Sequence, residues 1–167
     1  SELEALLSLA EFARAFPNTK FPEILEDKGK SPTIRAVKLK HPLISDEEAV
    51  GNDLEINEKV WCRLITGSNM SGKSTYLRTV GVNVLLAQAG APVFAQEMAL
   101  APCRVFTMLR VVDSIEDHIS SFYAEVKGLK EIWDEAKREG VPPVLYLVDE
   151  IFRGTNNRER LQGSRAY

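Results

Sequence analysis

Apolar residues recur every three or four positions in three parts of the chain, which is typical of helices that bury one face. This spacing predicts helices over residues 1–16, 73–88 and 121–138. Pro17 ends the first helix. Gly140 and the prolines that follow it end the third, in the order expected at a helix C-terminus.

Shorter apolar runs predict strands in the remainder of the chain. The predicted strands cover residues 33–39, 53–56, 60–66, 103–111 and 144–148, the first of them at a sheet edge. The run from Val144 to Val148 is continuously apolar, which is typical of a strand buried on both faces in a parallel sheet. We therefore expect an α/β fold with a mainly parallel central sheet flanked by helices.

The composition is that of an ordinary globular chain, with 44% hydrophobic and 27% charged residues in 167 positions. The 21 basic and 24 acidic side chains give a formal net charge of −3, which argues against an autonomous nucleic-acid-binding module. No apolar run approaches the roughly 18 residues of a membrane span, and the acidic residues 1–4 are unlike a signal peptide. Cys62 and Cys103 lack Cys-x-x-Cys spacing, so both are expected to be reduced and buried in a cytoplasmic protein.

The most specific motif is a glycine-flanked turn between the predicted strand 60–66 and the predicted helix 73–88. It fits the G-x-x-x-x-G-K-[ST] pattern and comprises Gly67, Ser68, Asn69, Met70, Ser71, Gly72, Lys73 and Ser74. Its glycines allow backbone N–H groups and the following helix N-terminus to surround a phosphate. Lys73 can neutralise the β- and γ-phosphates, and the Ser74 hydroxyl can bind Mg²⁺. With Thr75, these residues form the predicted nucleotide site.

A nucleotide site of this kind also needs a carboxylate for Mg²⁺ at the end of a neighbouring strand. Asp149 and Glu150 directly follow the apolar run 144–148. We assign Asp149 to the metal and Glu150 to the attacking water, which favours a hydrolase over a kinase. The alternative is that the pair marks only a solvated strand end or a helix cap. No guanine-reading Asn-Lys-x-Asp sequence is present, so ATP is favoured over GTP.

Several segments closely resemble the motifs of MutS-type ATPases, and they occur in the same order. Residues 66–78 are similar to the phosphate loop of that family, in which an Asn-Met pair is distinctive. Further similar segments are His41–Pro42, Asn52–Asp53, residues 85–90, 93–95, 113–125 and 149–155. The sequence departs from the family pattern at Ser68, where proline is usual, at His118, where glycine is usual, and over residues 156–160. These departures indicate a divergent branch.

The resemblance implies a P-loop NTPase fold of the ABC-ATPase-like kind, with ATP and Mg²⁺ as cofactors. Residues 1–32 would be the end of a preceding helical, lever-like segment and its linker. Residues 33–167 would be a partial ATPase domain, incomplete at its C-terminus. In the family, two such domains form a homodimer, or a heterodimer of paralogues, with composite sites. Ser120 or Ser121 would reach the γ-phosphate held by the other subunit, and either could also cap the helix predicted from residue 121.

The resemblance also implies that ATP-driven dimer closure controls DNA binding by other domains in DNA repair or recombination. The isolated chain would then bind nucleotide weakly or not at all and hydrolyse ATP poorly, because its second subunit and final strands would be absent. Asn52 and Asp53 would lie near adenine or at its dimer contact, whereas Trp61 and Trp133 are expected in the core. One alternative is an ABC- or SMC-type ATPase, although no L-S-G-G-Q-like signature is present. The other is a module that holds nucleotide without hydrolysing it, against which the retained Lys73 and Glu150 argue.

Overall fold

The computed structural model describes residues 2–26, 32–109 and 118–149, with the side chains of the last helix described from Glu125 onward. These ranges contain three helices and six strands. In chain order they are α1 (Glu2–Ala15), β1 (Glu23–Ile24), β2 (Ile34–Leu39), β3 (Asn52–Ile56), α2 (Lys73–Gln88), β4 (Glu97–Leu100), β5 (Arg104–Met108), α3 (His118–Ala136) and β6 (Val144–Val148). The three predicted helices are confirmed, and α2 and β6 have the predicted bounds.

Four strands form a mixed sheet in the order β1-β4-β2-β3. Strand β2 pairs antiparallel with both β3 and β4, while the short β1 pairs parallel with β4. The prediction that residues 33–39 form an edge strand is therefore wrong. Strand β4, which the sequence pattern did not reveal, occupies the free side of β2. Along β2 the side chains of Ile34, Ala36 and Leu39 are buried.

Strands β5 and β6 form a separate parallel pair, with Arg104 opposite Val144 and Met108 opposite Val148. The parallel direction predicted for the apolar run is confirmed for this pair. Its burial is less complete than predicted, because Leu145 is buried whereas the alternate side chains of β6 are only half-buried. Antiparallel pairing dominates the four-stranded sheet, which differs from the mainly parallel sheet expected, and the P-loop fold class stays a prediction.

The predicted strand over residues 60–66 is not formed, since none of the described strands pairs with this segment. Extended backbone is stable as a strand only when a neighbour satisfies its N–H and C=O groups. Here Arg63 Nε instead donates to the Glu55 carbonyl, at 3.1 Å. Trp61 is consequently 72% exposed and Leu64 is 88% exposed, so the placement of Trp61 in the core was wrong. Trp133 is also half-exposed, and the Lys137 ammonium lies 4.4 Å from its ring centroid.

Helix α2 joins the two sheets through a shared apolar core. Val80, Val84 and Ala87 on this helix are buried and belong to one cluster with residues of β2, β3, β4 and β6. The N-terminal segment packs nearby, because the rings of Phe12 and Phe16 contact that of Phe94. The proposed boundary at residue 32 stays a prediction.

None of the helices in the described ranges combines the length and apolarity needed to cross a membrane.

The two thiols should differ sharply in reactivity. Cys62 is exposed, contrary to the sequence prediction, whereas Cys103 is buried as predicted. Burial raises the pKa of Cys103 to about 11. The thiolate is the reactive form, and near pH 8 a group with that pKa is ionised in only about one molecule in a thousand.

We expect an aromatic disulfide reagent at about pH 8 to modify one thiol promptly in the native protein and the second only in denaturant. A Cys62→Ser variant should lose the prompt phase, and a Cys103→Ser variant should keep it. Prompt modification of both thiols in folded protein would contradict the burial of Cys103.

Candidate functional site

The phosphate-loop motif forms a tight turn that leads directly into α2. Met70 and Gly72 both have left-handed backbone conformations, with φ of 64° and 89°. Gly72 is the N-cap residue, and no side chain caps the helix there. The first turn of α2 also carries no acidic residue. The free N–H groups and the positive dipole end therefore suit this terminus to an anion.

The start of the loop is also crowded at Gly67. A Cβ at Gly67 would lie 2.7 Å from Ser71 Oγ, closer than side-chain atoms normally approach. The turn is closed by the Ser71 N–H, which donates to the Ser68 carbonyl at 3.3 Å. The backbone of the loop therefore folds back on itself at this point.

The Lys73 amine lies across this loop. Its Nζ donates to the Gly67 carbonyl at 3.0 Å and to the Ser68 carbonyl at 2.6 Å. The cation is thus held beside the turn that the motif predicts to surround a phosphate. Ser74 is half-buried, while Asn69 and Met70 are exposed at the tip of the loop.

A cleft of about 660 Å³ lies against the start of α2. The predicted nucleotide site contributes Ser71, Gly72, Lys73 and Thr75 to its lining. The facing wall comes from the segment between β2 and β3 and from the start of β3, and includes Ile44, Glu48, Ala49, Val50, Asn52 and Asp53. Sequence reasoning associated Asn52 and Asp53 with the nucleotide, and they share this cleft with Lys73. It missed residues 44–50, for which the only signal was a run of acidic and turn-forming residues.

A larger cleft of about 920 Å³ lies on the other side of the segment between β2 and β3. Its lining includes Phe16, Lys38, Lys40 and Phe94, and none of the phosphate-loop residues. His41 and Ile44 line both clefts, so this segment is a shared wall. The smaller cleft is the candidate site because it contains Lys73 and the α2 N-terminus.

Tyr76 connects α2 to the far wall of the smaller cleft. Its hydroxyl is 3.5 Å from the Asp53 carbonyl, a long and therefore weak hydrogen bond. Burial raises the pKa of Tyr76, so the phenol stays protonated and able to donate. The Asp53 carboxylate in turn accepts from the Lys38 N–H at 2.9 Å. The Asp53 backbone and side chain therefore link α2 to β2.

Asp149 lies immediately after β6, where its N–H donates to the Met108 carbonyl at 3.1 Å. Helix α2 packs on this strand, because a Cβ at Gly81 would lie 3.0 Å from Leu147 Cδ1. Asp149 is half-buried and does not line the cleft beside Lys73. The convergence of Asp149 and Lys73 on one ligand therefore stays a prediction.

Two further groups of predicted site residues are only partly placed. Ser120 and Ser121 lie in the first turn of α3, which begins at His118 rather than at residue 121. Neither serine therefore precedes the helix as an N-cap, and their side chains lie outside the described residues. Glu150 also lies outside the described residues.

The sequence profile of MutS domain V matches residues 63–166, a range that begins before the phosphate loop and extends past Asp149. This match covers more than half of the chain, which therefore belongs to the MutS family.

Individual relatives agree with this assignment. The chain is 37% identical over 162 residues to the DNA mismatch repair protein MutS of Chlorobium chlorochromatii, covering 93% of this chain and 18% of that protein. It is 35% identical over 167 residues to MutS of Staphylococcus saprophyticus, covering 96% of this chain and 18% of that protein. It is also 30% identical over 160 residues to the endonuclease MutS2 of Solidesulfovibrio magneticus, covering 93% and 20% respectively. The chain thus spans about a fifth of the length of these relatives.

The packing of α2 on β6 can be tested at Gly81. We expect Gly81→Val to lower the free energy of unfolding by about 1–3 kcal/mol, because the added methyl groups would overlap Leu147. Urea denaturation measures the change. Leu85→Ala, on an exposed position of the same helix, is the control and should have a much smaller effect. Equal stability of Gly81→Val and the parent chain would mean that α2 does not approach β6 this closely.

Proposed function

We propose that this chain is the ATP-binding and ATP-hydrolysing domain of a MutS-type DNA repair or recombination protein. The observation that carries the proposal is the uncapped N-terminus of α2 beside the Lys73 amine, at the edge of a cleft. Membership of the family and the order of the sequence motifs support a P-loop fold for the complete domain.

The residues present fit a nucleoside triphosphate with Mg²⁺. Gly67 and Gly72 carry no side chain, and the left-handed φ of Gly72 is one that glycine adopts without strain, so the backbone at both ends of the loop can approach a phosphate. Lys73 already lies across the loop and could exchange a carbonyl partner for a phosphate oxygen. Ser74 and Asp149 would hold Mg²⁺, which, when bound, neutralises charge on the phosphate oxygens.

The proposed hydrolysis also assigns roles to Glu150, to the serines at the start of α3 and to a second subunit. Glu150 would orient or deprotonate water, a role suited to a carboxylate beside the metal ligand. Ser120 or Ser121 would act in a second subunit, since a homodimer or paralogue heterodimer would complete each site. DNA would be bound by other parts of a longer protein, in keeping with the net charge of −3 of this chain. A non-hydrolysing nucleotide-binding module remains the competing function.

Nucleotide binding can be measured by titrating Mg²⁺-ATP into the chain and following the fluorescence of Trp61. This exposed indole precedes the cleft residues Arg63 and Leu64 closely in sequence. We expect saturable binding that Lys73→Ala weakens by at least about tenfold, because a charge-assisted phosphate contact is lost. Trp133→Phe removes the second indole as a control. Saturable binding of equal affinity in the parent chain and in Lys73→Ala would reject the site.

Hydrolysis can be separated from binding at Glu150. With the longer parent protein in excess over labelled ATP, Glu150→Gln should keep the affinity of the unmutated parent and lower the single-turnover rate by about 10²-fold or more, the usual contribution of a positioned acid–base group. Glu139→Gln, a carboxylate outside the motifs, is the matched control. Equal rates in the parent and Glu150→Gln, or binding without turnover in both, would favour the non-hydrolysing module.

A further inference from the structure

Asn83 is an unusual residue in the core of α2, because it is a polar side chain with no exposed surface. Asparagine is rarely buried completely unless its amide is satisfied. All around it the core cluster is apolar, including its neighbour Val84. An apolar side chain of similar volume would fill the same space without the desolvation of an amide.

The Asn83 amide is satisfied by groups from three parts of the chain. Nδ2 donates to the Lys40 carbonyl at 3.0 Å and to the Thr79 carbonyl at 2.9 Å. Oδ1 accepts from the Phe94 N–H at 2.8 Å. One side chain thus joins α2 to the residue that follows β2 and to the segment that precedes β4.

These contacts fall at the end of the β2–β4 ladder. Beyond the last paired residues, Gln96 N–H donates to the Val37 carbonyl at 2.9 Å and Lys40 N–H donates to the Phe94 carbonyl at 2.7 Å. The Lys40 carbonyl and the Phe94 N–H both use Asn83 instead. The Asn83 side-chain amide therefore bonds to one backbone group on each side of the ladder, as a peptide group of a further strand residue would.

Lys40 also immediately precedes residues 41–51, the segment that forms the wall between the two clefts. His41 and Ile44, which follow it, line the candidate site, as do Ala49 and Val50 further on. The Lys40 ammonium holds the middle of this wall by donating to Asp46 Oδ1 at 2.9 Å. Asp46 Oδ2 accepts a second hydrogen bond from Asn18, at 2.8 Å.

We propose that Asn83 is a positioning residue of the nucleotide cleft, fixing the wall formed by residues 41–51 relative to the helix that begins at Lys73. Helix α2 then positions both sides of the cleft. Its N-terminus forms one side, and its Asn83 amide bonds to Lys40, the residue that precedes the other side. This proposal rests on the proposed function for its effect on nucleotide, and on the described hydrogen bonds alone for its effect on the wall.

The wall itself can be tested without nucleotide. Asn83→Leu leaves the partly buried Lys40 carbonyl and Phe94 N–H without their partner. Amide hydrogen exchange at Glu48 and Ala49, whose N–H groups bond to the Ser45 carbonyl, should become about tenfold faster or more. Exchange in β5 and β6 should change less. Val84→Ala is the matched control, since it removes buried volume at the next position on α2 and keeps all three bonds.

The effect on the site is measured by Mg²⁺-ATP affinity in the same variants. Asn83→Leu should weaken binding by about tenfold, and Val84→Ala by less than about twofold. Asp46 is an exposed residue outside the candidate site. Asp46→Ala should also weaken binding, because it removes the bond from the Lys40 ammonium to the wall. The double variant of Asn83 and Asp46 should lose less than the product of the two single effects, because both act through one wall.

Each outcome decides one claim. If Asn83→Leu lowers only the melting temperature, with exchange in the wall and affinity unchanged, Asn83 is a structural residue and the proposal is overturned. If Asn83→Leu does not fold, unchanged affinity in Asp46→Ala overturns it equally. Equal Mg²⁺-ATP affinity in the parent chain and in Lys73→Ala would remove the proposed function, and hydrogen exchange would still decide whether Asn83 holds the wall.

Discussion

The packing of α2 against both sheets is the constraint on which the candidate site depends. The helix buries Val80 and Val84 in the shared core and passes so close to β6 that a Cβ at position 81 would lie 3.0 Å from Leu147 Cδ1. Its axis is therefore fixed by contacts well inside the fold. The N-terminus of α2, with its Gly72 cap and the Lys73 amine, is placed by that packing because it belongs to the same helix.

The elements whose bounds are determined by nearby residues could be predicted from the sequence. Helix α2 has the predicted bounds because a glycine turn sets its start and a regular apolar face sets its length. Strand β6 was predictable because a five-residue apolar run between a proline pair and an acidic pair has few alternatives. The turn before α2 was predictable from its two glycines, one of which has a left-handed backbone, whereas phosphate binding by this turn stays a prediction.

Features that depend on distant partners could not be predicted in this way. Strand β4 has a weak pattern of its own and is a strand because β2 lies beside it. Residues 60–66 have the pattern of a strand, yet the described strands offer them no neighbour, so Trp61 and Cys62 are exposed. The wall over residues 41–51 is irregular, and Lys40, which precedes it, is bonded to Asn83, 43 residues further along the chain. No local pattern reveals such a contact.

Phe94 makes contacts on two sides. Its ring lies against those of Phe12 and Phe16, with centroids 6.1 and 5.3 Å away, while its backbone is bonded to Asn83 and Lys40. Through this one residue, the N-terminal helix packs on the segment that Asn83 and Lys40 hold at the end of the β2–β4 ladder. The placement of α1 and the geometry at this end of the sheet therefore share a common residue.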